Sequence, residues 1–334
     1  FSSCACAFER FGTVAECSSF AAVQPLAGLS VVDLTRYLPG PFASRELMRL
    51  GAHVTRLLPP GGDPMRELSP AWHEALNAGK ETLELDLKAE PEGGRALCAE
   101  ADVVLESFRP GVVERLGIGP AQLPERVVYC SFTGFGPDDL TAGHDLNYQG
   151  WAGLLADTAP ALPPVQIADL GAALRAVAQV LAALLGRERT GRGAHLVVSL
   201  THGAHELASH RLGGEPLPRL LTGGLACYRI YATADGRHLT VAALEPKFFR
   251  RLCELLGRPE LAAHQWEADQ EPLAGELAET FAKQPLATWL ELFEGEDVGV
   301  GPVATLDEAA AQLGGSPSAA VSASRSGSRS GTSG

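Results

Sequence analysis

The sequence predicts an α/β protein: a large domain on a mostly parallel sheet over residues 25–215, and a smaller α+β domain over 220–305. Three observations predict it. Strand-type apolar runs alternate with helical patterns through the first part of the chain, the mark of βαβ units whose sheet is covered on both faces. Near Leu221 the texture changes to period-two alternation around Asp235-Gly236, which reads as a hairpin. The length of 334 residues, at about 150 per domain, gives two domains.

The elements follow in order. Leu29–Leu34 reads as a buried strand, and RYLPGPFAS turns into a helix ending near Gly51. AHVTRLL and ETLELDL are the second and third strands. A helix over Gly93–Glu100 leads to the strand DVVLESF, the short helix PGVVERLG and the strand RVVYCSF. No G-x-G-x-x-G follows the first strand, which weakens an ordinary dinucleotide-binding reading. Leu170–Arg187 is apolar on most faces and reads as a buried helix, with the strand of TGRGAHLVVSL after it. Beyond the hairpin come the helix EPKFFRRLCELLG and a helical stretch over Pro285–Phe293.

Composition narrows the function. Lys+Arg 27 against Asp+Glu 40 leaves a net charge of −13, which argues against a general nucleic-acid binder. No uninterrupted apolar run approaches about 18–20 residues, which argues against a membrane span. Seven cysteines without a C-x-x-C pair make neither a disulfide framework nor a zinc site and suit a reducing, cytoplasmic compartment. Residues 1–24 carry no basic region followed by an apolar one and are expected as an unstructured extension. Residues 306–334, running into Ser, Gly, Ala and Arg, are expected as a disordered low-complexity tail.

The candidates for chemistry sit at element ends. Arg36 follows the first strand, Arg109 another, and Lys80 precedes the third. Three cations at one rim of an open α/β sheet suit a pyrophosphate or 3′-phosphate, and Gly40 before a helix leaves backbone N–H groups for phosphate. His144 and Asp145 stand just before a helix, where Asp145 can be its N-cap. Asp169 opens the buried helix, where it is either a cap or a carboxylate whose setting raises its pKa. Glu245 stands at a strand-to-helix junction with the same alternatives. His202, His205 and His210 lie on one predicted helix, but no Cys or acidic ligand except Glu206 is local, which argues against a metal site there.

The motifs DLTRYLPGPFAS, GGDPMRE, ESFRPGVVERLGIG, GHDLNYQG, ADLGAAL, RERTGRGAHLVVSLTHGA and ALEPKFF, spanning Pro25 to Pro302 in order, resemble the family of class III CoA transferases and α-methylacyl-CoA racemases (the CaiB/BaiF type). GHD-x-NY and ALEPKFF resemble the racemase branch. The resemblance implies a Rossmann-like large domain, a small domain and an interlocked homodimer acting on acyl-CoA in lipid and fatty-acid metabolism. It places His144 and Asp169 on two acid/base residues, Glu245 on the carboxylate paired with the histidine, and Arg36, Lys80, Arg109 and Gly40 on or near coenzyme A contacts. It implies a two-base proton transfer through an enolate, the backbone N–H of Asp169 aiding the oxyanion. Coenzyme A is part of the substrate, and no metal or other cofactor is implied. The alternative is CoA transfer through an acyl anhydride on Asp169. The transferases carry a longer glycine loop where this chain has only Gly223-Gly224. The chain departs from the family where Ala172 and Ala173 follow Gly171, where the segment before GHD is short, and where the tail replaces a segment returning to the large domain.

Overall fold

The computed structural model describes residues 23–211, 214 and 220–313. Residues 1–22 of the extension expected over 1–24, and the tail beyond 313, lie outside these. The chain divides into two compact units, one within Ser18–His210 and the other within Arg211–Ser316.

In the first unit the order is β1 (Ser30–Asp33), α1 (Pro39–Arg49), β2 (His53–Leu58), α2 (Met65–Leu68), α3 (Pro70–Asn77), β3 (Glu81–Glu84), α4 (Pro91–Glu100) and β4 (Val103–Glu106). Then come α5 (Val112–Arg115), β5 (Val128–Thr133), α6 (Asp145–Trp151), α7 (Ile167–Thr190), β6 (His195–Ser199) and α8 (Leu200–Leu207). All six strands are parallel, in the order β3-β2-β1-β4-β5-β6. Val31 and Val32 of β1 and Val103, Val104 and Leu105 of β4 are consecutive apolar residues because both faces of these strands are covered. Val31, Val103 and Val128 pack with Ala43 and Leu47 of α1 and Ala172, Ala176 and Val180 of α7. Val32, Val104 and Tyr129 face the other way, onto Cys98 of α4 and Val113 of α5. β3 is exposed along its length and carries glutamates at both ends, which discourages pairing with another chain.

The helix expected over Leu170–Arg187 extends to 24 residues. With an 18-residue window of mean hydropathy 1.6 it is long and apolar enough to cross a membrane by length and composition, against the expectation that no stretch would be. Its fully buried alanines at 168, 172, 173 and 176 pack into the core instead.

In the second unit β7 (Tyr228–Ala232) and β8 (His238–Ala242) form the expected hairpin, and Gly236 takes the left-handed turn conformation at φ 74°. α9 (Pro246–Leu255), α10 (Glu271–Phe281) and α11 (Leu286–Leu292) cover it, and β9 (Val300–Pro302) adds a third antiparallel strand. The core joins Tyr231, Leu239 and Val241 to Phe249, Leu277 and Trp289. The tail expectation needs correction at its start: α12 spans Leu306–Gln312. Thr305 Oγ1 accepts from Glu308 N, Thr305 N donates in return to Glu308 Oε2, and Arg237 pairs with Glu308 at 2.9 Å. This reciprocal cap starts a helix where composition alone suggested none.

Candidate active site

Strand order reverses between β1 and β4, so the chains leaving them diverge and open a crevice at their carboxyl ends. A cleft of about 560 Å³ lies there. Arg36 and Tyr37 enter it from the β1 turn, Arg109 from the β4 turn, and His144 and Asp169 line it as well. Arg36 and Arg109 are exposed, leaving their charge for a ligand.

The β1 turn is fixed from below. Asp33, fully buried, accepts from Thr35 N at 2.9 Å, from Thr35 Oγ1 and from Ser44 Oγ. Lys80 corrects the sequence reading. Its side chain is wholly buried and Nζ donates to Pro41 O, Ser44 Oγ and Asn77 Oδ1 at 2.8–3.0 Å, with Asp33 Oδ2 at 3.7 Å. All three protons are used, so Lys80 bolts the turn and has none left for a phosphate. Burial lowers its pKa to about 8, against the opposing pull of Asp33. Gly40 also fails to reach the cleft. It is buried in the first turn of α1, where a Cβ would overlap the Thr35 side chain.

His144 sits at the N-cap of α6 in extended backbone, its N–H donating to Asn147 Oδ1 at 3.1 Å. The loop before it is held by Tyr148, whose hydroxyl donates to Gly143 O at 2.6 Å. A Cβ at Gly143 would come within 2.8 Å of the Tyr148 ring, which explains the glycine of GHD. The neighbouring carboxylate, expected as the cap of its own helix, caps another one, since the N-cap of α6 is His144. Asp145 Oδ1 accepts from Ala168 N at 2.9 Å and Asp169 N at 3.1 Å, and Gln149 Nε2 donates to Oδ2. Asp145 therefore caps α7 across 23 residues and ties the two candidate bases to one frame. This also corrects the oxyanion expectation, because the backbone N–H of Asp169 is already taken.

Asp169 has its carboxyl pushed up to about 7, by burial first and by the like charge of Asp145 second. The sequence places both residues but cannot show that they meet, since the contact is long-range. Glu245 belongs to the second unit. It heads α9, is exposed, and its carbonyl accepts from Phe248 N and Phe249 N while its carboxylate makes no capping bond. Among the described residues no cluster of three His, Cys, Asp or Glu could hold a metal. His202 Nδ1 lies 2.8 Å from Ser199 Oγ, and His205 Nδ1 lies 3.0 Å from Ala152 O.

A second hollow of about 750 Å³ shares Leu34, Arg36 and Phe108 with the cleft and adds Leu57, Leu85, Lys88 and Arg115. The sequence reading missed Lys88 and Arg115, although LDLK and VERLG place a cation after a strand and at a helix end.

The model of CoA-transferase family III matches residues 26–322. The chain belongs to this family. It is 36% identical to the α-methylacyl-CoA racemase of Homo sapiens over 85% of this chain and 78% of that protein. It is 33% identical to the acetyl-CoA:oxalate CoA-transferase of Acetobacter aceti, over 86% and 82%. Among solved structures it resembles the Rv3272 protein of Mycobacterium tuberculosis, with a TM-score of 0.75 and 30% identity over 85% of each chain.

Proposed function

We propose that the chain racemises 2-methylacyl-CoA thioesters by moving the α-proton between two bases through an enolate. The observation that carries this reading is that a carboxyl raised to about 7 and an imidazole line one cleft. Simple acyl transfer to an aspartate has no need of the second group. The Asp169 carboxylate takes the proton from the α-carbon, and the C–H electron pair passes into the enolate. The positive end of α7 favours the developing charge. A protonated His144 then delivers a proton to the opposite face, which inverts the centre and leaves Asp169 protonated and His144 neutral. That state runs the reverse reaction, as an acid–base pair requires.

The cation-rimmed trough supports the rest of the substrate. Arg36 and Arg109 flank the thioester end, while Lys88 and Arg115 offer charge to phosphates beside the apolar walls of Leu57 and Leu85. Coenzyme A is then part of the substrate and no further cofactor enters. The chain is also proposed to act as a homodimer, because α7 exposes an apolar stripe at Ile167, Leu174 and Leu185, with Leu174 56% and Leu185 59% exposed.

The test is incubation with one enantiomer of a 2-methylacyl-CoA in D₂O. Deuterium at the α-carbon with loss of optical purity is expected; CoA moved to an added carboxylate without exchange contradicts the reading. That outcome belongs to the second reading, CoA transfer through a mixed anhydride on Asp169, which the likeness to transferases at 30–33% identity favours.

A further inference from the structure

Among the described residues Tyr37 is the non-glycine residue with positive φ, at 66°. In this left-handed region the Cβ of an L-residue crowds the carbonyl that follows. Tyrosine has no short polar side chain to offset that by bonding its own backbone, as Asn or Asp can. The conformation is imposed from both sides. Ahead of Tyr37, Thr35 is pinned to the buried Asp33 through its N–H and its hydroxyl. Behind it, Leu38 is buried, Gly40 packs against Thr35, and Lys80 holds the carbonyl of Pro41. Strain kept in place by its surroundings is a feature of functional sites, where it aims a side chain.

The side chain is aimed at His144. The two rings meet edge to face, with centroids 6.1 Å apart and planes at 86°, inside the range where aromatic pairs attract. Tyr37 is 52% exposed and lines the same cleft, so the conformation is not explained by burial in the core. His144 is itself exposed, and its N–H and carbonyl bond to Asn147 and Tyr148 at the start of α6; the Tyr37 ring is a contact to the imidazole itself.

We infer that Tyr37 is a positioning residue for the His144 imidazole: a ring held in a strained turn that fixes the plane of the histidine at the α-carbon. The inference rests on the two-base reading for its kinetic consequence and on geometry alone for the ring contact. It singles out one half-reaction, because Tyr37 touches the His144 ring and has no such contact with Asp169.

The test compares full-length wild type with Tyr37→Phe, Tyr37→Ala and Tyr37→Gly in two readouts. The first is α-proton exchange in D₂O for each enantiomer of a 2-methylacyl-CoA separately, the His144 side being the one that His144→Gln abolishes. The second is the NMR resonances of the His144 ring in histidine-labelled protein, assigned through His144→Gln. Tyr37→Ala and Tyr37→Gly are expected to slow the His144-side exchange by about 10- to 100-fold, the effect of a base misplaced by about an ångström. The Asp169-side exchange should stay within about twofold, and Tyr37→Phe should restore most of the lost rate. The His144 resonances should move in the Ala and Gly variants and stay near wild type in Phe. Tyr37→Gly should melt no lower than Tyr37→Ala, since glycine is at ease at this φ.

Unmoved His144 resonances in the Ala and Gly variants overturn the inference, and so does equal slowing of both enantiomers. If wild type exchanges neither enantiomer, the racemase reading falls, while the resonances still decide whether Tyr37 orients the ring.

Discussion

In the proposed mechanism Asp169 is the residue on which the chemistry turns. Its carboxyl is raised from 3.8 to about 7, by burial and then by Asp145. As a base it must be ionised, so exchange of the enantiomer facing it should rise with pH and level off above about 7. Asp145→Asn keeps an oxygen for the two N–H groups of α7 and removes the like charge. The midpoint of that profile should therefore move down; an unmoved midpoint would mean that Asp145 does not act on Asp169 electrostatically. The same shift bears on stability. Between 3.8 and 7 the folded chain holds more protons than the unfolded one, so stability falls as pH rises through this window. Asp169→Asn should then raise stability at pH 8 by about 1–3 kcal/mol, after allowance for partial exposure, and change little at pH 4. Equal effects in denaturant melts at both pH values would contradict this. The two proposed bases are legible in the sequence because each sits beside its own helix start. Asp145 is legible only as a cap, and its true partner is a helix that begins 22 residues later, at Ile167.

At the scale of elements, the β1 turn shows why Lys80 misleads. The sequence puts a cation at the rim of the sheet, but whether it points out or in depends on Pro41 and Ser44, 39 and 36 residues away. Lys80→Ala leaves Asp33 buried without its counter-charge and should destabilise the chain by about 3–5 kcal/mol. A phosphate contact would instead raise KM for the thioester while leaving the denaturation midpoint alone. α12 misleads in the opposite sense. The Thr305-x-x-Glu308 cap is visible in the sequence, yet the composition of the region hides it. Thr305→Ala should lower stability by about 1 kcal/mol through loss of the cap, read as a shift in the urea midpoint.

For the whole molecule, strand–helix alternation gives the α/β class and the hairpin gives the second unit. Strand order is not legible: nothing local says that β4 pairs with β1 rather than with β3, and that pairing creates the crevice. What covers the α7 stripe is equally a matter of assembly. If a second copy covers it, light scattering should find a dimer, and Leu174→Glu with Leu185→Glu should give a monomer. A wild-type monomer would contradict the dimer proposal.

The central claim is that His144 and Asp169 are two bases serving opposite faces of one carbon. The most direct measurement is α-proton exchange in D₂O, one enantiomer at a time, with His144→Ala and Asp169→Asn. Each variant should lose racemisation and keep exchange of a different enantiomer, His144→Ala retaining the one that faces Asp169. Loss of everything in Asp169→Asn, full activity in His144→Ala, and hydroxylamine capture of an acyl group on Asp169 would contradict it.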